Sequence, residues 1–201
     1  MSGRFIVLEG GDGSGKSTQR DAVVAWLRTQ SIEVVETGEP GGGGVRDEIR
    51  RLVLDGDDLD PRTEALLMAA DRAEHCARIV VPALTRGAWV VSDRHVPSSL
   101  VYQGVVRELG VDAIARLSEF ATNGLRPDLV VVLDVDDATA EARRDPAHDR
   151  LEREGQVFHA AVRAAYRDLA GRFGWTLIDG TGAPDTVTER IAASLEPLMR
   201  S

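Results

Sequence analysis

Lys16 is the only lysine in 201 residues, and it stands in Gly10-Gly11-Asp12-Gly13-Ser14-Gly15-Lys16-Ser17. This run matches the pattern G-x-x-x-x-G-K-[ST], which requires a strand before it and a helix after it. Both are present: Arg4 to Glu9 reads as a buried strand, and helix signals run from Lys16 to about Gln30, with Val23, Val24 and Leu27 spaced to pack on a sheet. The other 23 basic residues are arginines, so a single lysine placed at random among 24 basic positions would fall here about one time in 24. Lysine carries a compact charge on a flexible stem, whereas arginine carries a wide planar fork. A backbone loop wrapped around phosphates has room for the first. In such a loop, from Gly10 to Thr18, the glycine-freed N–H groups and the unpaired donors of the helix start cradle phosphate oxygens. Lys16 neutralises their charge, and the Ser17 hydroxyl is placed to ligate Mg²⁺. The implied ligand is a nucleoside triphosphate; the loop does not specify what happens to its γ-phosphate.

The rest of the chain repeats the strand–helix alternation. Glu33 to Thr37 reads as a second strand, ended by Glu39-Pro40-Gly41-Gly42-Gly43-Gly44. Val45 to Leu54 is a short helix and Thr63 to Thr85 a long one. Ala88 to Ser92 is a third strand that delivers Asp93-Arg94-His95. Val111 to Thr122 is helical, and Asp128 to Leu133 is a near-continuous apolar strand, as expected when both faces of a parallel sheet are covered. A charged segment, 143–154, precedes a helix through about Arg172; Trp175 to Ile178 is the last strand and Asp185 to Met199 a closing helix. This order predicts one α/β domain over residues 1–201, a doubly wound parallel sheet with helices on both faces.

Composition narrows the class. A net charge of −9 argues against a sequence-independent nucleic-acid binder, which needs a basic footprint. With 4% aromatic residues, aliphatic side chains must do the packing. One cysteine, Cys76, excludes an intrachain disulfide. No leader pattern and no membrane-length apolar run is present, so the expectation is a soluble cytoplasmic protein with no membrane partner.

Four further segments carry a specific resemblance. Asp12 within the loop, Thr37-Gly38-Glu39-Pro40-Gly41-Gly42, Asp93-Arg94-His95 followed by Ser98 and Tyr102-Gln103-Gly104, and Asp149-Arg150-Leu151-Glu152 together resemble the thymidylate kinase family. Ala69-Ala70-Asp71-Arg72-Ala73-Glu74-His75 with Pro82-Ala83-Leu84 is similar to that family's nucleotide-site helix. The similarity covers nearly the whole chain in order, and it implies a P-loop nucleoside monophosphate kinase architecture. The implied reaction is phosphorylation of dTMP to dTDP by Mg²⁺ and ATP, in a homodimer.

The resemblance also implies roles. Arg94 clamps donor and acceptor phosphates, the alternative being a surface arginine paired with Asp93. Asp93 lies where a magnesium-linked carboxylate is expected at a strand end. Arg50, rather than Arg51, binds the acceptor 5′-phosphate. Arg72 reaches a thymine carbonyl; a guanidinium in an apolar stripe needs a partner, and Asp71 and Glu74 are the alternatives. Tyr102 packs under the deoxyribose or is a core tyrosine, and Asp12 contacts the acceptor sugar or its phosphate through magnesium. Glu39, Pro40, Ser98, Ser99 and Gln103 complete the acceptor site.

Met68 stands where the family usually has a phenylalanine that stacks on the base, Gly38 where an arginine is common, and Asp145 where a lid arginine is common. Segment 143–154 resembles a lid, in which Arg144 and Arg153 fit a solvated face equally well. Because Gly13 follows Asp12, the loop lacks the arginine of some members. The chain therefore resembles the lid-arginine, bacterial type, with Arg150 the first choice for the catalytic arginine and Arg143 the second. The rival readings are a kinase for a different nucleoside or nucleotide acceptor, and a nucleotide-dependent binding switch.

Overall fold

A computed structural model describes residues 3–143, 150 and 154–200. Five strands, β1 (Phe5–Glu9), β2 (Val34–Gly38), β3 (Trp89–Asp93), β4 (Leu129–Asp134) and β5 (Thr176–Asp179), form one parallel sheet in the order β2-β3-β1-β4-β5. Among the described residues, the α-helices between and after them are α1 (Lys16–Thr29), α2 (Val45–Arg50), α3 (Pro61–His75), α4 (Val81–Thr85), α5 (Val96–Ser99), α6 (Val111–Thr122), α7 (Asp137–Arg143), α8 (Gln156–Phe173) and, following β5, α9 (Pro184–Met199).

Alternation along β1 explains why both faces are covered. Ile6 and Leu8 join Val91, Val131 and Leu133 on one face, under Val23, Val24 and Leu27 of α1 and Val187, Ile191 and Leu195 of α9. Phe5 and Val7 turn to the other face with Val80, Ala83 and Val90. Next to them, Val132 packs beneath Leu100, Val101, Ile114, Val162, Tyr166 and Leu169. The wide apolar runs of β1 and β4 therefore reflect burial on two sides, as the sequence suggested.

Register decides where the chemistry lies. Leu8 pairs with Asp93 on one side and Val131 on the other, so the glycine loop and the end of β3 emerge together at the carboxyl edge. In open parallel sheets, ligands bind at that edge where neighbouring connections diverge.

The long helix expected over 63–85 begins at Pro61. Asp60 caps it by accepting from the Arg62 backbone N–H, and a wider π turn, Cys76–Val80, separates α3 from α4. All five strands begin one residue later than expected. Two helical stretches had no clear sequence signal: α5 with the π turn Leu100–Val106, and α7. The first carries Gly104 and four valines and is held by tertiary packing; the second is only seven residues long.

Candidate active site

The loop after β1 closes around its own lysine. Gly15 adopts φ 91° at the start of α1. Gly13 adopts φ 78°, and a Cβ there would lie 2.1 Å from the Ala140 carbonyl oxygen. No side chain fits at position 13, because α7 packs against the loop there. Lys16 is buried, and its Nζ donates to the Gly11 carbonyl over 2.9 Å. Burial and the nearby charge of Arg94 push its ammonium below the usual lysine range, against the pull of Asp12, Asp93 and Glu9. On the next residue, Ser17 Oγ donates to Asp93 Oδ2 over 2.8 Å.

Glu9, at the end of β1, escaped the sequence reading because it completes an apolar strand. It is fully buried and accepts from His95 N–H (2.8 Å), Ser98 Oγ (2.7 Å) and the Tyr166 hydroxyl (2.8 Å). Burial raises its carboxyl above the ordinary value. These bonds turn the chain sharply after β3, with Arg94 in the left-handed region at φ 68°. A non-glycine residue there stores strain of about 1–3 kcal/mol, which persists only where the surroundings enforce it.

The turn sends Arg94 back across the loop. Its Nη2 lies 2.5 Å from Asp12 Oδ1, and its Nη1 donates to Ser98 Oγ over 3.0 Å. Its guanidinium also sits 5.3 Å from the centre of the Tyr102 ring. The partner is thus Asp12, not the neighbouring Asp93. Burial works to raise the Asp12 carboxyl, but Arg94 and Lys16 outweigh it and hold it below the usual range. Tyr102 also donates to Asp12, over 3.3 Å.

Arg72 has a different partner from those considered. Its guanidinium pairs with Glu39 (2.9 Å), and it donates to Ser99 Oγ (3.1 Å) and the His95 carbonyl (3.2 Å). Asp71 turns the other way, to Arg46 and the Gly41 N–H. Glu39 Oε1 also receives His75 Nδ1 at 2.7 Å and His95 Nδ1 at 2.8 Å. Burial alone would raise the Glu39 carboxyl; Arg72 and the two rings reverse this and hold it well below the carboxylate range. Glu39, His75 and His95 could in principle ligate a cation. The Arg72 charge already neutralises that carboxylate, so the cluster reads as an ion-pair network. His95, next to Arg94, is buried edge-on against Phe5.

These elements enclose a cavity of about 860 Å³. The loop contributes Asp12, Gly13, Gly15, Lys16, Ser17 and Thr18 to its wall, and Asp93, Arg94, Ser98, Tyr102 and Gln103 come from β3 and the segment after it. Glu39, Pro40, Arg50, Leu54 and Met68 line it as well. One space therefore touches both a triphosphate cradle and a partly apolar recess.

The sequence profile described as thymidylate kinase matches residues 8–191. The chain belongs to the thymidylate kinase family. It is 48% identical to the thymidylate kinase of Leifsonia xyli subsp. xyli over 96% of this chain and 92% of that protein. It is 43% identical to that of Rhizorhabdus wittichii, over 99% and 100%. The crystal structure of thymidylate kinase from Ehrlichia chaffeensis superposes with a TM-score of 0.80 at 28% identity, covering 98% of this chain and all of that one.

Within this family member, most of the expected site residues meet at the cavity. Arg50 lines it, while Arg51 is exposed and paired with Glu48. Gly10, Gly11 and Ser14 shape the loop from behind, and Arg72 and Ser99 stand one layer behind the wall. Of the two preferred lid arginines, Arg143 lines the cavity and donates to the Gly180 carbonyl over 2.9 Å. Arg150, the first choice, does not line it: Arg150 is bound to Glu64 at 2.5 Å and to the Val53 carbonyl at 2.9 Å. Arg144, Asp145, Asp149, Leu151, Glu152 and Arg153 lie outside the described residues. Besides Glu9, the sequence reading assigned no site role to Thr37, which lines the cavity, to Arg46, which pairs with Asp71, or to Glu64, in the first turn of α3. No described helix is long and apolar enough to cross a membrane.

Proposed function

We propose that this chain transfers the γ-phosphoryl group of Mg·ATP to the 5′-phosphate of dTMP, giving ADP and dTDP. The observation that carries this reading is the single cavity bordered by Lys16, Ser17 and Asp93 together with Arg94, Arg50, Met68 and Gln103. An acceptor-phosphate oxygen forms the new bond to the γ-phosphorus, and the electron pair of the cleaved bond leaves on the ADP oxygen. Such transfer depends on positioning and charge neutralisation rather than on a covalent enzyme intermediate. The acceptor phosphate is already ionised near neutrality, so no strong general base is needed.

The chain's own groups divide these tasks. The loop N–H groups from Gly11 to Thr18 and Lys16 hold the donor phosphates; Arg94 and Arg50 draw the acceptor phosphate toward them. Arg94 exchanges Asp12 for phosphate oxygens, and the freed Asp12 with Tyr102 faces the acceptor sugar. Ser17 and Asp93 offer hard oxygen ligands 2.8 Å apart, a donor set that fits Mg²⁺. They would hold the ion that neutralises charge between the phosphates. Pro40, Met68, Ser98 and Gln103 shape the acceptor recess, with Glu39, Arg72 and Ser99 behind it. We further read residues 1–201 as one cytoplasmic kinase domain that works as a homodimer. Exposed Leu66 on α3 and Phe120 on α6 support an interface, since these helices pack side by side.

The test is a panel of nucleoside monophosphates and nucleosides with ATP and Mg²⁺, read as ADP release. dTMP should be the best acceptor. Faster turnover of dCMP or thymidine would move the assignment to another acceptor, and slow hydrolysis unaffected by dTMP would indicate a binding switch.

A further inference from the structure

Gln103 lines the cavity, yet only half of its amide is satisfied. Its Nε2 donates to Glu64 Oε1 over 2.7 Å, while its buried Oε1 has no partner among the described residues. A side-chain amide can present either face to a ligand, and the choice is set by what it meets on the other side. Glu64 is 1% exposed, and its second oxygen is held by Arg150 at 2.5 Å, with Arg107 at 3.7 Å. A carboxylate paired in this way only accepts hydrogen bonds. It therefore takes the NH₂ of Gln103 and forbids the flipped orientation, which would set two acceptors against each other at a cost of about 1–3 kcal/mol.

We infer that Glu64 is a specificity-determining positioning residue, which fixes Gln103 so that the acceptor site offers a carbonyl oxygen. This rests on the proposed monophosphate kinase reading. A fixed, buried acceptor selects a base whose ring edge donates an N–H. Thymine and uracil carry that proton at N3; cytosine has a lone pair there, and two acceptors would face each other. Arg150 acts in the same chain of contacts, keeping Glu64 turned so that Oε1 remains for Gln103.

The experiment uses the full chain with Mg·ATP and compares kcat/KM for dTMP, dUMP and dCMP. Glu64→Gln is isosteric but can donate as well as accept, so Gln103 becomes free to flip. The dTMP-to-dCMP ratio should narrow at least about tenfold, mainly through KM, with dUMP following dTMP. In a Gln103→Leu background the same substitution should leave the ratio unchanged, because the group it acts through is gone. Equal losses for all three acceptors, or an unchanged ratio, would overturn the role of Glu64 while leaving the kinase reading standing. A wild type that prefers dCMP would overturn both. Should Glu64→Gln fail to fold, NMR of the unliganded wild type decides: slowly exchanging Gln103 side-chain NH₂ protons support the assignment, and rapidly exchanging, averaged ones refute it.

Discussion

Arg94 and Asp12 form an ion pair across the mouth of the phosphate loop, with Nη2 2.5 Å from Oδ1. In the proposed reaction the pair would hold the arginine where phosphate charge is to be neutralised. Removing the guanidinium leaves Asp12 beside the incoming phosphates without its counter-charge. Arg94→Ala is expected to lower kcat by about 10²–10³-fold, the scale for losing one preorganised group that stabilises transition-state charge. Arg94→Lys should recover only a small part, because one ammonium cannot replace the several directed donors of a planar fork. Steady-state kinetics with dTMP checks both; a Lys variant near wild-type rate would show that charge alone suffices.

Lys16→Arg should keep the fold and lose most activity. Lys16 Nζ sits 2.9 Å from the Gly11 carbonyl inside the loop, and the side chain is buried. The larger head must push the loop outward or leave it, so ATP binding and turnover should fall together, by about 10²-fold or more. Circular dichroism and ADP release separate this from unfolding. Retained turnover would show that the loop tolerates the fork.

The same loop shows why some of this site could be read from sequence and some could not. Local rules were enough for the glycines, Lys16, Ser17 and the strand end at Asp93, since neighbouring residues set their geometry. The choice of Arg50 over Arg51 came from the resemblance alone, since helical spacing says only that the two face different ways; Arg50 lines the cavity and Arg51 does not. Glu9 and Glu64 were not legible: each is a carboxylate in an ordinary strand or helix, held by partners 39 to 157 positions away. For Arg72 the need for a partner was visible but the partner was not, since Glu39 lies 33 residues upstream. The helical stretch 96–106 was missed because Glu9, not a local cap, starts it.

Met68 packs on Ile49, Val53 and Leu54 and also lines the cavity, so it belongs to both the core and the recess. Met68→Phe should tighten dTMP binding about two- to tenfold, the range expected for adding an aromatic face. The larger ring should also lower the melting temperature by a few degrees, because the inner side of residue 68 has little spare room. Calorimetric titration and a thermal melt measure the two effects. Lower stability with unchanged affinity would place the side chain wholly in the core.

Stability should fall on acidification in two stages. Burial depresses the His95 imidazole below its ordinary 6.5, so its contribution is complete above that value and declines as pH falls through the lower folded one. Glu39 is depressed well below 4.5 by Arg72 and the two imidazoles, against the effect of burial, so its contribution is complete above 4.5 and lost as pH falls further. His95→Asn, which keeps a donor for Glu39, should flatten only the first stage. Melting temperatures from pH 8 down to the acid limit provide the check, and a parallel profile for the variant would remove His95 as the cause.

Arg143 and Arg150 should separate kinetically. Arg143 borders the cavity, and its Nη1 lies 3.9 Å from where a Cβ on Gly15 would stand. Arg150 braces the acceptor side through Glu64 and the carbonyls of Val53 and Leu54. If these positions persist during turnover, Arg143→Ala should reduce kcat by about 10²-fold or more with little change in the dTMP KM, as for a group acting on the transferred phosphoryl. Arg150→Ala should chiefly raise the dTMP KM, by about tenfold, because it unpins a wall of the recess. The reverse pattern would mean that Arg150 leaves Glu64 when ATP binds and becomes the phosphate ligand itself. That exchange would tie acceptor-site order to closure over the donor, and it would show as a dTMP affinity that changes with a non-hydrolysable ATP analogue in the wild type but not in Glu64→Gln.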